Sequence, residues 1–457
     1  MPPRLHTPVA LTTTYVRISV FAFTARIGYG VASMRRVALA VVAMAACTGS
    51  EAALPAMPAR APATPAVTAA ASGAKPTAHV EGHGVRPHRE EVVVECPVKL
   101  PQNGDDEARA AALLEAANKQ LGASAYAAAW TCADRAADLS PASVEAHHLR
   151  GAALAGMGRD ADAQLAYSLA LALDPDDIET LRAVADFYIN GKGDRGRDAL
   201  RLGLELAQRG SRRMAVARRR RNPPLAADLA VLEAQALNDL GRSDEALTRI
   251  DAALKLAPGR GDALHEKGVA LFDLSRFSEA KATLARALAI QPDDAYSHQM
   301  MGLTLEQLGE QPAADRELSR AVELAPSDLS PAVLVTVAEF KKEIADVLAG
   351  LPAERHAKLR GVPIEVVDLP DRADLTAVSP PFPPTILGLY RGPVGHGPHV
   401  AQIAEGETPS IVLYRKNLAR AVKTRAELSE QIRDTLLHEI GHLEGLDEDD
   451  LRRRGME

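Results

Sequence analysis

The chain is poor in the residue types that define several common protein classes. Only 3 of its 457 residues are cysteine, which excludes a disulfide-built scaffold and a cysteine-rich zinc array. Aromatic residues make up 4%, so an aromatic-rich sandwich or a base-stacking platform is not expected. The net charge of −7 argues against a dedicated nucleic-acid-binding protein, and we expect no nucleic-acid partner. No run reaches 18 uninterrupted apolar residues, so no membrane-spanning helix is predicted.

What remains is the composition of an ordinary soluble protein with more than one domain. Hydrophobic residues make up 47% of the chain and charged residues 25%. At roughly 150 residues per domain, this length allows about three folded units. Changes of composition divide the chain into an upstream segment with a signal peptide (1–47), a disordered Ala/Pro-rich linker (48–106), a repeat array (107–326) and a C-terminal domain (334–457).

The N-terminal region contains a predicted export signal that begins at Met34. Two arginines follow Met34, and a short apolar run, Val37–Ala46, then ends in two alanines immediately before Cys47. This is the layout of a secretory signal peptide, and no structural role is predicted for residues 1–33. The Ala-Ala-Cys junction resembles the lipobox of bacterial lipoproteins. The resemblance implies acylation of Cys47 and a lipid-anchored protein of a bacterial cell envelope, at the outer membrane or the periplasmic face. An ordinary signal peptide cleaved nearby is the alternative.

Small residues and prolines recur at a fixed spacing of 34 in the middle of the chain. Gly268, Ala280, Ala287 and Pro292 are followed 34 residues later by the same set, from Gly302 to Pro326, and three earlier copies carry equivalent residues. The pattern resembles the tetratricopeptide repeat, in which small residues let two antiparallel helices pack closely before a proline-containing turn. The resemblance implies an all-α array with a concave face that binds an extended peptide or a partner protein.

A sixth, degenerate copy is predicted to begin near Ile178. About 15 residues beyond one period are inserted before the next copy, and they include six arginines between residues 212 and 221. We interpret these arginines as part of a solvated loop or helix face. A site for an acidic partner or a lipid headgroup is less favoured, because no aromatic residues interleave with the arginines. Cys96 precedes the array and Cys132 lies in the second helix of its first repeat. These two residues form either a disulfide or two buried thiols.

The repeat period is lost after Pro331, and the remaining residues predict a small α+β domain. An amphipathic helix is predicted over Val333–Leu351, and strand-like runs follow at Pro363–Leu369, Thr385–Tyr390 and Ser410–Tyr414. Thr424 and Glu427 form a capping-box pattern that predicts the start of the last long helix.

That last helix carries the sequence HEIGH, from His438 to His442. Histidines four residues apart lie on one helical face, so both can bind one zinc ion. Glu439 follows the first histidine, where a carboxylate can accept a proton from water activated by the metal. Catalytic zinc usually has three protein ligands, and the spacing predicts Glu448 as the third, beyond a chain reversal at Gly445. Asp447 and Asp449 are the alternatives.

The stretch from GLYRG through SIVLYRKNLAR to LLHEIGHLEGLDEDDL resembles a small bacterial family of zincin-like metallopeptidases that ends shortly after an HExxHxxGxxD motif. The resemblance covers about residues 334–457. It implies a zincin fold in which His438 and His442 bind zinc and Glu439 acts as the general base. His396 and His399 lie in a Gly/Pro-rich loop, which is interpreted as flexible and exposed rather than as a second metal site.

Two functional hypotheses follow from this organisation. The first is a cell-envelope zinc metallopeptidase that hydrolyses peptide bonds, with the repeat array recruiting the substrate or a partner protein. The second is a non-catalytic interaction scaffold with a vestigial zincin domain. Peptide cleavage that depends on Glu439 distinguishes the two.

Overall fold

A computed structural model describes residues 19–22, 94–101, 104–191, 196–216, 222–392 and 409–454. The side chains of residues 19–22, 448 and 449 lie outside this description, as do Cys47, the arginines at 218–221, and both His396 and His399. None of the helices in these ranges combines the length and the apolar character needed to cross a bilayer.

Twelve helices form six antiparallel pairs in the middle of the chain, which confirms the predicted all-α array. Each helix packs against its partner, and each of the first five pairs packs against the first helix of the pair that follows. The helices are α1 (Asp106–Gly122), α2 (Tyr126–Leu139), α3 (Val144–Gly156), α4 (Asp160–Leu173), α5 (Ile178–Asn190), α6 (Gly196–Val216), α7 (Pro223–Asp239), α8 (Ser243–Leu256), α9 (Gly261–Asp273), α10 (Phe277–Ile290), α11 (Ala295–Gln307) and α12 (Gln311–Leu324).

The recurring small residue of each repeat allows the two helices of a pair to approach closely. A Cβ placed on Gly268 would lie 2.5 Å from Leu284, in the second helix of the same pair, and Gly302 has the same relation to Leu318 at 2.6 Å. The first helices of successive pairs contact one another more extensively than the second helices do. The array therefore curves with its first helices on the inner, concave side.

The degenerate third pair keeps both helices, and its insertion is partly taken up by helix. Helix α6 is 21 residues long, against 14 for the second helices of the other pairs. Arg212 and Arg213 lie on exposed positions near its C-terminus, and Asp176 pairs with both Arg209 and Arg213. For the arginines that the structure describes, the solvated helix face is the better interpretation.

A disulfide joins Cys96 to Cys132, which settles the choice left open by the sequence. It ties the segment before α1 to the middle of α2, where Thr131 Oγ1 also donates to the Val94 carbonyl at 2.8 Å. Both cysteines are buried in the core of the first repeat. The linker therefore ends at a fixed point on the array.

Breaking this disulfide should strongly destabilise the first repeat. A cross-link between residues 36 apart lowers the entropy of the unfolded chain by an amount worth about 3–4 kcal/mol. We expect Cys96→Ser to lower the free energy of unfolding by about that much. Urea titration followed by the fluorescence of Trp130, the single tryptophan of the chain, measures this, since Trp130 lies in α2. Cys47→Ser is the control, and an equal midpoint in the two variants would contradict the expectation.

The C-terminal domain is a small α+β unit, and its predicted strands are confirmed with minor shifts of boundary. Strands β2 (Ile364–Val367), β3 (Ile386–Arg391) and β4 (Ser410–Tyr414) form a mixed sheet in which β4 is central, parallel to β2 and antiparallel to β3. The helices are α13 (Val337–Ala349), α14 (Ala353–Lys358), α15 (Arg372–Leu375), α16 (Arg415–Arg420), α17 (Arg425–Leu443) and α18 (Glu448–Arg453).

A further strand, β1 (Ser19–Ala22), pairs antiparallel with the outer edge of β3, so the strand order is β1-β3-β4-β2. Ser19 lies opposite Tyr390 and Phe21 opposite Gly388. The sequence predicts no structural role for residues 1–33, and the pairing of β1 with β3 corrects that expectation. The physical reason is that an open sheet edge presents unpaired backbone N–H and C=O groups, which any extended segment of the chain can satisfy.

The sheet is covered on both faces. One face, with Leu387, Ile411 and Leu413, packs against α13 and α17. The other face packs against the repeat array in one continuous apolar cluster, here called the array–sheet core. From the domain it contains Leu375, Ile386, Leu389, Val412 and Tyr414, and its larger members from the array include Leu271, Phe272, Met300, Met301, Leu303 and Leu305 of α9 and α11.

Ion pairs complete the contact between the domain and the last repeat. Glu306 of α11 is 7% exposed and accepts from two cations of α16. Lys416 Nζ lies 3.1 Å from its carboxylate and also donates to Gln311 at 2.6 Å, and Arg420 is the second partner. Removing one partner from such a buried group is costly, so the domain is held in one position on the array.

Candidate metal centre

Helix α17 carries the residues of the candidate site, and it begins where the sequence predicts. Thr424 Oγ1 accepts from the Glu427 backbone N–H at 3.2 Å, and the Glu427 carboxylate accepts from the Thr424 N–H, which is the predicted capping box. The apolar side of the helix, including Ile432, Leu436 and Ile440, packs on the sheet. This packing fixes the rotation of the helix, so the residues of the motif have defined directions.

The two histidines of the motif converge on one point. His438 and His442 are fully buried, and their Nε2 atoms lie 3.0 Å apart. The His442 Nδ1–H donates to the Leu446 carbonyl at 3.0 Å, and since a carbonyl can only accept, this leaves the lone pair on Nε2. A hydrogen bond at the far nitrogen is the usual way in which a protein orients a metal-binding imidazole.

The donor set fits a zinc ion at this point. Zinc binds imidazole nitrogen at about 2.0–2.1 Å, so two nitrogens 3.0 Å apart are close enough to share one ion. Glu439 lies between the histidines in sequence and is also fully buried. Within the described residues, no third His, Cys, Asp or Glu completes a metal-binding cluster with them.

Glu448, the third predicted ligand, is the first residue of α18, a short helix that was not predicted from the sequence. Gly445 has the predicted left-handed conformation, with φ +83°, and turns the chain back after α17. Asp447 then caps α18, because its carboxylate accepts from the Asp450 N–H at 2.8 Å. Glu448 and Asp449 are the first residues of α18. The assignment of Glu448 as a ligand therefore remains a prediction, and so do Asp447 and Asp449 as its alternatives.

Gly388 and Asn417 help to build the site, although neither was predicted from the sequence. A Cβ on Gly388 of β3 would lie 2.7 Å from Thr435 Cγ2 and 3.1 Å from Glu439 Oε1, so this glycine lets the sheet approach the helix next to the motif. Asn417 donates to the carbonyls of Pro384 and Ile386 and fixes the start of β3. A lone glycine inside a strand run is the signal that could have revealed the close approach.

A polar network connects the ends of β3 and β4 to Asp374 of α15. The Tyr414 hydroxyl donates to Asp374 at 2.9 Å, and Arg391 Nη2 pairs with the same carboxylate at 2.8 Å. Burial, reinforced by this carboxylate, raises the pKa of the Tyr414 phenol far above its ordinary value. Tyr414 therefore stays neutral and acts as a fixed donor that anchors the end of β4.

The architecture is that of a helical repeat array joined to an α+β domain with an HExxH helix. Residues 359–456 match the family model described as zincin-like metallopeptidase, and residues 237–304 match the tetratricopeptide repeat. The chain thus contains a tetratricopeptide repeat region followed by a C-terminal zincin-like metallopeptidase domain, as its sequence motifs indicate.

Solved structures similar to this chain are tetratricopeptide repeat proteins. YrrB, described as having an unusual peptide-binding site, is 17% identical, with 42% of this chain and 92% of that chain covered and a TM-score of 0.32. PilF of Pseudomonas aeruginosa is 12% identical, covering 53% and 99%, with a TM-score of 0.41. PilW, a type IV pilus biogenesis factor, is 15% identical, covering 48% and 94%, also at 0.41. No curated protein matches the chain significantly.

Proposed function

We propose that the protein is a zinc-dependent metallopeptidase that hydrolyses peptide bonds. The observation that carries this proposal is the convergence of two buried histidine Nε2 atoms, 3.0 Å apart, on a helix that also carries the fully buried Glu439 next to His438 in sequence. The match of residues 359–456 to the zincin-like metallopeptidases supports it. His438, His442 and Glu448 are the proposed zinc ligands.

In this proposal the chain's own residues supply binding and proton transfer. A zinc ion held by the histidines would supply Lewis-acid activation of water and of the scissile carbonyl. Glu439 accepts the proton from the attacking water and then passes it to the leaving amine, as a general base and then a general acid. The Leu446 carbonyl keeps His442 in the tautomer that binds metal.

Digestion of a peptide library by the purified chain tests the function. We expect cleavage with zinc bound, no cleavage after chelation, and recovery when zinc is restored. Metal analysis of the same sample is expected to give one zinc per chain. A chain that holds zinc and cleaves no peptide would exclude the peptidase and leave a structural zinc site.

The proposed third ligand can be tested by substitution along α18. Glu448→Ala should weaken zinc binding severely, because a site with three protein ligands loses one of them. Asp447→Ala should have a mild effect, since its carboxylate caps the helix. Competition with a chromogenic zinc chelator measures both affinities. If Asp449→Ala abolishes binding while Glu448→Ala preserves it, the ligand is Asp449.

The repeat array is proposed to bind the protein substrate or a protein partner. The concave side is lined by first helices, and those of the last two repeats contribute to the array–sheet core. A partner would therefore bind the first-helix surface of the earlier repeats, formed by α1, α3, α5 and α7. A peptide held there has a fixed position relative to the metal centre, because the domain is held on the array.

We also propose that the protein is exported and anchored to the bacterial cell envelope by acylation of Cys47, so that the mature chain lacks β1 and its sheet consists of β2, β3 and β4. The support is the arginine pair, the short apolar run and the Ala-Ala-Cys junction. Cys47→Ala is expected to move the protein from the membrane fraction to the soluble fraction, because a thiol is needed for the acyl chain. Fractionation with an antibody detects the shift, and unchanged membrane association would reject acylation at this residue.

A further inference from the structure

Thr435 carries a buried hydroxyl that the proposed mechanism does not use. The residue lies on α17, is 0% exposed, and its Oγ1 has no hydrogen-bond partner among the described residues. A buried hydroxyl without a partner is unfavourable, because it has lost its hydrogen bonds to water and gained none in the protein. Such groups are rare in folded proteins, and each one calls for a physical explanation.

A second buried threonine shows what an ordinary helical threonine does in this protein. Thr304 of α11 is also 0% exposed, and its Oγ1 donates to the Met300 carbonyl, one turn earlier, at 2.7 Å. Thr435 makes no such bond. Its methyl group instead faces Gly388, since Cγ2 lies 2.7 Å from the position of a Cβ on that glycine.

The neighbour of Thr435 at that point is Glu439. The two residues are four apart on one helix, so their side chains are adjacent on one face. A Cβ atom placed on Gly388 would lie close to both side chains. It would be 2.7 Å from Thr435 Cγ2 and 3.1 Å from Glu439 Oε1. Rotation about the Cα–Cβ bond of Thr435 to another staggered rotamer can bring the hydroxyl to the position that the methyl group occupies, and threonine in helices uses two rotamers.

We infer that Thr435 is a positioning residue for Glu439: its hydroxyl donates to the Glu439 carboxylate and holds it in the orientation needed for proton transfer. A charge-assisted bond of this kind is stronger than one between neutral groups and limits the motion of the acceptor. Gly388 brings β3 against both side chains, which are fully buried. The functional part of this inference rests on the proposed peptidase activity.

Unfolding measurements test the contact without any need for activity. In the full chain, Thr435→Val is expected to lower the melting temperature by a few degrees, since the Glu439 carboxylate loses the hydrogen bond from Thr435. In a Glu439→Ala background, the same substitution should cause no loss. Thr304→Val is the matched control, and its effect should be the same in both backgrounds. Equal effects of Thr435→Val in the two backgrounds would overturn the inference.

Kinetics on a cleaved peptide test the positioning. Thr435→Val should lower kcat about tenfold with KM unchanged, because a misplaced base slows the chemical step. Thr435→Ser should restore most of the rate, and Thr304→Val should keep it. Full kcat in Thr435→Val overturns the positioning role. If the wild-type chain cleaves no peptide, the proposed function fails, while the unfolding measurements still decide the contact between Thr435 and Glu439.

Discussion

Replacing Glu439 by glutamine will abolish peptide cleavage and leave the fold and the zinc content unchanged. Glutamine has nearly the same shape as glutamate but accepts no proton at neutral pH. Loss of a positioned general base lowers the rate by about 10²–10⁴-fold. The side chain is fully buried, so replacing a carboxylate by a neutral amide should not reduce the melting temperature.

The control for this substitution lies on the same helix. Glu430 is exposed on α17, and Glu430→Gln changes the net charge by the same amount away from the motif. Quenched peptide substrates give the rates, and metal analysis gives the zinc content of each variant. If Glu439→Gln cleaves as fast as Glu430→Gln, then Glu439 is not the base, and a scaffold with a non-catalytic zincin domain becomes the better description.

The C-terminal domain alone, residues 334–457, will not hold its fold. Its contribution to the array–sheet core is Leu375, Ile386, Leu389, Val412 and Tyr414, all 0% exposed in the chain. Burial of such a side chain is worth about 1.5–3 kcal/mol, so the five together are worth about 8–15 kcal/mol. Losing even half of this would remove much of the stability of a typical domain, which is about 5–15 kcal/mol.

A longer fragment separates this effect from ordinary truncation. Residues 222–457 keep α7 to α12 and therefore the array half of the core, including Glu306 for Lys416 and Arg420. We expect this fragment to unfold cooperatively by circular dichroism, while residues 334–457 aggregate or show no transition. A cooperative transition for residues 334–457, with a melting temperature near that of the longer fragment, would show that the array is not part of the core of the domain.

Features encoded by local sequence were predicted well. The period from Gly268 to Gly302 reflects close helix packing within one repeat, and the capping box at Thr424 and Glu427 involves neighbours in the chain. The HEIGH motif likewise depends only on the geometry of one helix, so both histidines meet as expected. Local patterns of this kind do not depend on how distant segments come together.

The contacts between distant segments could not be read in the same way. The uninterrupted apolar runs of β3 and β4 indicate strands buried on both faces, but they do not reveal that the array covers one of them. In the sequence, Glu306 is not distinguished from the other charged residues of the repeat helices. Its role becomes evident only from its ion pairs with Lys416 and Arg420 in the folded chain. The cap at Asp447 was not predicted, because in a run of four acidic residues the sequence alone does not distinguish a helix cap from a metal ligand.

The array–sheet core also sets the order in which the molecule can be assembled during translation. A chain emerges from the ribosome with its N-terminal residues first, and each repeat needs only its neighbours to form. Helices α9 to α12 are therefore complete before β3 and β4 are synthesised. We expect the strands to pack onto this preformed apolar surface, with the repeats serving as an intramolecular chaperone for the domain that carries the HEIGH motif.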